Sequence, residues 1–266
     1  MKLNPFGLRG RIRLRARTRH LTRQMLSLIP GWQEREKLHY ELGFWLDAWD
    51  ARLRSGQFWN DDIEALLQPL GEWPAIAEND RADYATIRRL EARAHGLRIL
   101  KEAQIESHDF FVGKTVVDVG PGAVCFLEAS GARIGIAIEP LAREFATHGL
   151  LLPSNNVIYL PVAAEKLPLL DESTDVVVSR NNLDHVNDPS AVVDEVHRIL
   201  RPSGTFILIV HLEPEASITE PHAFIADDIR LLMRQFITDK ETIFRGGRTE
   251  AAYTLAGVYR KPNVIT

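Results

Sequence analysis

Asp118, Gly120 and Gly122 stand close together in the run VVDVGPGAVCF, with Pro121 between the two glycines. Glycines at this spacing let a chain turn sharply and let a ligand approach the backbone more closely than any Cβ would allow. Glu139 follows in GIAIEP, beside Pro140. A carboxylate only accepts hydrogen bonds, so at the end of a strand it suits the two hydroxyls of a ribose and would repel a 2′-phosphate. A G-x-G-x-x-G fingerprint would place its third glycine at position 125, where Cys125 stands, which argues against a dinucleotide.

A second set of residues could move a proton. His185 lies in RNNLDHVNDP, and His211, Glu213, Glu215 and His222 lie in HLEPEASITEPHAF. His222, after Pro221, is expected to face an acceptor pocket; His185 is read either as a direct participant or as a shaper of its loop, and His211 as a structural hydrogen bonder. Imidazoles with carboxylates also suit divalent ions. The spacing of His211, Glu213, Glu215 and His222 matches no compact ligand motif, however, and no metal is expected.

These residues need elements that hold them at one end of a sheet. From Lys114 onward, short β-branched runs alternate with helical patterns, the mark of βαβ units in a mostly parallel sheet. The runs cover 115–119, 133–139, 157–162, 174–179 and 205–210, and their near-continuous apolar character predicts strands buried on both faces. A helix is expected from near Ala123, another over about 227–236, and a terminal hairpin from 241–245 and 253–260 turning through Gly246 and Gly247. Upstream, REKLHYELGFWLDAWDARL has helical spacing, and Asn60, Asp61 and Asp62 form a helix start before IEALLQPL. A third helix is expected over about 82–105, where Ile87, Leu90, Ala94, Leu97 and Leu100 recur at helical steps. The aromatic residues Phe44, Trp45, Trp49, Phe58 and Trp59 are read as core rather than as a stacking platform.

The stretch AAEKLPLLDESTDVVVSRNNLDHVNDP, followed by VVDEVHRILRPSGTFILIV, resembles the class I (Rossmann-like) S-adenosylmethionine-dependent methyltransferases of the type 11 group. The likeness covers about 114–212. It implies a doubly wound α/β fold: a mostly parallel seven-stranded sheet ending in an antiparallel hairpin, with an N-terminal helical extension. It further implies S-adenosyl-L-methionine as cofactor. Asp118, Gly120 and Gly122 would line its methionine part, Glu139 its ribose, and Ala164 with Glu165 its adenine edge, while Asn181 would lie beneath it and Pro121 and Pro140 would also belong to the cofactor site. Ala163 stands where many relatives carry an aspartate, so adenine recognition falls to Glu165 or to backbone groups.

By the same resemblance the acceptor would be a hydroxyl of a small polar molecule or a cell-envelope glycan, with His185 and His222 as candidate catalytic residues. A catalytically silent cofactor-binding or scaffold protein is the alternative. An oxidoreductase is disfavoured, since no Tyr-x-x-x-Lys accompanies the glycines. Nucleic acid is disfavoured too, because SRNN stands where an N-P-P-[YF] loop would be.

Composition sets the outer bounds. The chain has 266 residues, 45% of them hydrophobic and 26% charged, which suits one α/β domain with an accessory segment. The single cysteine excludes an internal disulfide. The formal net charge of -4 conceals an asymmetry: 1–33 holds eight Lys and Arg and no acid, leaving 24 basic against 36 acidic residues elsewhere. Accordingly 1–30 is read as a flexible basic arm that could touch a membrane surface, 31–110 as the helical extension and 111–266 as the cofactor-binding domain. No membrane-spanning run or secretory signal is recognised, and a cytoplasmic location is the expectation.

Overall fold

The computed structural model describes residues 32–58, 62–73, 83–151, 154, 156–212, 215–217, 219–246 and 252–263. The basic arm, Asn60, Asp61, Glu213 and Gly247 lie outside them. By compactness the chain divides into two units, 1–41 and 42–266. Among the described residues of the first unit is most of helix α1 (Trp32–Gly43), on which Tyr40 is exposed and meets the ring of His39 edge-on at 6.2 Å.

In the second unit the end of α1 is followed by a π-helical segment, Phe44–Asp50, and by short helices α2 (Ala51–Arg54) and α3 (Ile63–Leu67). The longest helix is α4 (Tyr84–Glu102). Asp83 caps it by accepting the Thr86 N–H at 3.0 Å, the side-chain cap that a helix start needs. Gly96 on α4 lets Phe126 pack within 3.4 Å of where its Cβ would be.

The sheet has seven strands in the order β3-β2-β1-β4-β5-β7-β6. β1 (Thr115–Val119), β2 (Ile134–Ile138), β3 (Val157–Leu160), β4 (Thr174–Arg180) and β5 (Leu200–Leu212) run parallel. β6 (Ile237–Arg245) and β7 (Tyr253–Arg260) form the antiparallel hairpin, with β7 inserted beside β5. All five residues of β1 are buried, as a central parallel strand requires. Successive residues of β5 feed opposite faces: Phe206, Leu208 and Val210 join one core cluster, Ile207 and Ile209 the other. Between β4 and β5 runs α6 (Pro189–Ile199), capped by Asp188, whose Oδ1 accepts the N–H groups of Ser190 and Ala191 at 3.0 and 3.1 Å, with Pro189 pre-set at the first turn. Two further helices, α5 (Ala142–Thr147) after β2 and α7 (Ala226–Leu232) after β5, complete the second unit.

One expected element is absent. No α-helix starts near Ala123; the chain turns and forms only a 3-10 segment, Phe126–Ala129. Ala123, Val124, Cys125, Phe126 and Leu127 are all buried, Phe126 against Gly96 of α4, and Gly131 closes the stretch after roughly two helical turns. The face is covered instead by α4, whose Ile99 and Leu100 share a core cluster with Cys125, Phe126 and Leu127. β5 is also longer than the run 205–210, because Leu200 already pairs with Thr174 of β4 ahead of an irregular register. No helix among the described residues is long and apolar enough to cross a membrane.

Leu208 is fully buried at the centre of β5. Leu208→Ala is expected to destabilise the protein by about 2–5 kcal/mol, read as a fall in the denaturant midpoint with an unchanged slope.

Candidate cofactor site

The glycine loop leaves the carboxyl end of β1 with both glycines in the left-handed region, φ +70° at Gly120 and +68° at Gly122. Space explains the residue type as much as conformation does. A Cβ on Gly120 would fall 2.0 Å from Asn182 Oδ1, and one on Gly122 would fall 2.0 Å from the indole of Trp45. Trp45 itself meets Trp49 at 5.0 Å and Phe145 at 6.0 Å, both edge-on, so an aromatic group from the π-helical segment rests on the loop.

Glu139 holds the loop in place. Its Oε2 accepts the Gly122 N–H at 3.0 Å and its Oε1 accepts the Leu141 N–H at 2.9 Å, with the side chain buried. Asp118 is buried beside it and accepts a weak bond from the Cys125 thiol at 3.3 Å. Burial, reinforced by the Glu139 charge, pushes the Asp118 carboxyl up to about 7.

A cavity of about 250 Å³ opens at this end of the sheet. Asp118, Gly120, Pro121 and Asn181 line it, which brings together four of the residues singled out in the sequence. Asn181 adopts φ +50°, strained for a non-glycine residue, and its Oδ1 is buried without a hydrogen-bond partner. The remaining lining was not anticipated. Glu91, His95 and Arg98 come from one face of α4, Arg180 from the end of β4, and Phe44, Trp45 and Trp49 from the π-helical segment. The signal was in the sequence: Arg88, Glu91, His95 and Arg98 recur at helical steps between the apolar positions of α4. Arg180 is anchored by a bidentate pair with Glu102, both bonds 2.9 Å. Burial, with Arg180 and Arg98 nearby, lowers His95 to about 3, so its imidazole is neutral at physiological pH. Arg88, fully buried, donates to the Ala123 carbonyl at 2.6 Å and fixes the chain just past Gly122.

The other sequence candidates lie elsewhere. Pro140 is exposed, Ala164 belongs to a core cluster, and Glu165 accepts the Asn187 N–H at 2.8 Å, tying the loop after β3 to the start of α6. His222 Nε2 lies 2.9 Å from the Val186 carbonyl and its ring stacks on Phe224, while His185 Nε2 is 3.8 Å from Glu220. Neither histidine lines the cavity. Among the described residues, His211, Glu215 and His222 form no ligand cluster.

Residues 117–208 match the family model described as a methyltransferase domain. The chain is 35% identical over 101 residues to an uncharacterised methyltransferase of Mycobacteroides abscessus, covering 36% of this chain and 39% of that one. It is 32% identical over 115 residues to the ubiquinone biosynthesis O-methyltransferase of Paraburkholderia xenovorans, covering 41% and 50% respectively. The chain thus spans half or less of the length of these curated relatives. A Bacillus halodurans protein solved as a suspected methyltransferase shares the fold, with a TM-score of 0.50 at 17% identity over 62% of this chain and 99% of that one. The seven-stranded sheet with a glycine loop at the end of β1 is the class I, Rossmann-like methyltransferase fold, and it holds the residues that match the methyltransferase-domain model.

Proposed function

We propose that this chain transfers the methyl group of S-adenosylmethionine to a hydroxyl of a small polar or saccharide acceptor, including cell-envelope glycans. The observation that carries the reading is the cavity beside the glycine loop, whose lining has the charges that an amino-acid end group needs. Asp118 and the orphaned Oδ1 of Asn181 are acceptors suited to an ammonium, and Arg98 and Arg180 are donors suited to a carboxylate. About 250 Å³ has room for the methionine end and not for the whole cofactor. Glu139 and the glycine backbone would then hold the ribose, which requires the Trp45 ring to move off Gly122.

When bound, the cofactor supplies an electrophilic methyl group on sulfur. This chain's own part is alignment and exclusion of water. The name of the ubiquinone O-methyltransferase relative supports oxygen as the receiving atom. A second reading, cofactor binding without transfer, is favoured by one observation: His185 and His222, the sequence candidates for a base, are engaged outside the cavity.

Calorimetric titration tests the cofactor claim. Wild-type protein is expected to bind S-adenosylmethionine at micromolar concentration and to ignore NAD, and Gly120→Ala to weaken binding at least tenfold, since a Cβ there meets both left-handed strain and Asn182. A preference for NAD would sink it. Transfer of labelled methyl to a panel of sugars and phenols separates the enzyme from the silent binder.

Asp118 gives a pH dependence. Its carboxyl titrates at about 7 in the folded chain, and a cationic ammonium favours the ionised form. Cofactor affinity is therefore expected to rise about tenfold from about pH 6 to about pH 8, with a proton released on binding, and to be flat in Asp118→Asn. For folding the sign is opposite. The native state holds the extra proton between the ordinary value of 3.8 and about 7, so this group's contribution to stability falls as pH rises through that window. A calorimetric pH series on both proteins reads the first effect, and urea melts the second.

A further inference from the structure

The loops that follow β4 and β5 meet at a cluster outside the cofactor cavity. Asp184 and His185 come from the first loop and Glu220 from the second, and one ligand atom from each lies within 4.8 Å of the others. His185 Nε2 and Glu220 Oε1 are 3.8 Å apart. Asp184 is only 1% exposed, yet its Oδ1 is buried with no hydrogen-bond partner. A buried carboxylate with an unsatisfied oxygen, clustered with a second carboxylate and an imidazole, is the arrangement that a cation completes.

The surroundings hold the two loops in register. The backbone N–H of His222 donates to the Asp184 carbonyl at 3.4 Å, and the His222 ring lies 2.9 Å from the Val186 carbonyl. Within the second loop, Ser217 N donates to the Glu220 carbonyl at 2.7 Å and Glu220 N to Ser217 Oγ at 3.0 Å. Glu220 is therefore presented to Asp184 by backbone bonds on either side of it. Ligand atoms around a divalent ion sit about 2.0–2.2 Å from it, so the three side chains would close in by about 1 Å on binding.

We propose that Asp184, His185 and Glu220 form a binding site for a divalent first-row cation of the Mn²⁺ or Zn²⁺ class. One imidazole with two carboxylates leaves coordination positions for oxygen ligands. The site joins loops that leave the carboxyl ends of adjacent strands, where ligands of such sheets gather. An acceptor with two neighbouring hydroxyls is the class it would take. That last clause rests on the methyl-transfer reading; the cation site does not.

The test titrates the full chain with Mn²⁺, following free Mn²⁺ by electron paramagnetic resonance, and repeats the titration with Zn²⁺ by calorimetry. One saturable site per chain is expected, weakened at least tenfold in Glu220→Gln and in Asp184→Asn, with circular dichroism confirming that both variants fold. Because Glu220 is not on the cofactor cavity, Glu220→Gln should bind S-adenosylmethionine as the wild type does. No saturable binding of either ion, or equal binding by wild type and a folded Glu220→Gln, overturns the site. Intact Mn²⁺ binding in a chain that binds no S-adenosylmethionine would overturn the methyl-transfer reading alone.

Discussion

The Glu139 carboxylate is the point at which sheet and site are joined. It sits at the end of β2, buried, and its two oxygens take the N–H groups of Gly122 and Leu141. One side chain thereby fixes the glycine loop after β1 and the turn after β2. A buried carboxylate is tolerable only when its acceptors are filled, and backbone N–H groups at fixed positions fill them without ordering another side chain. The left-handed glycines follow from the same constraint, because the loop must bend back to offer its amide to β2 while Asn182 and Trp45 occupy the space a Cβ would need. Neighbouring Asp118 titrates near neutrality because it is buried close to a carboxylate already committed to the backbone.

Around that joint the electrostatics are set by α4. Arg88 is sealed behind the loop with a 3.6 Å ion pair to Glu128, while Glu91, His95 and Arg98 reach the cavity. Sealing a guanidinium is unfavourable unless its donors are used; Arg88 Nη2 is used on the Ala123 carbonyl, where the chain lacks helical partners of its own, while its Nε and Nη1 are buried without a hydrogen-bond partner. A helix that precedes the sheet in sequence thus replaces the one usually placed after the first strand. It closes the apolar face and also supplies the polar lining.

The sheet was legible because its strands are buried on both faces and punctuated by turns: TVVDV gives β1 residue for residue, and β2 to β4 agree within two residues at either end. The loop with Asp118, Gly120 and Gly122 was legible because only glycine fits there. What failed depended on tertiary contact. GAVCFLEAS has helix-compatible residues, yet packing Phe126 against Gly96 leaves it as a 3-10 turn. The cavity side of α4 was overlooked because its apolar positions dominate the pattern, and the aromatic run read as core includes Phe44, Trp45 and Trp49, which line the cavity. The adenine-edge role of Ala164 and Glu165 is implied by the family likeness and was not legible from the residues themselves; Ala164 packs in the core and Glu165 bonds the start of α6.

The π-helical segment Phe44–Asp50 bears on how such a site can diverge. A π turn holds one residue more than an α turn, so it arises or vanishes by inserting or deleting a single codon. Losing one residue here would turn Phe44 and Trp45 by about 100° relative to Leu53, since each residue of an α-helix advances by that angle. Different side chains would then face Gly122, with the strands, the glycine loop and Glu139 untouched. The roof of the cavity can therefore be re-cut by changes in length, while the floor built by the glycine loop stays constant.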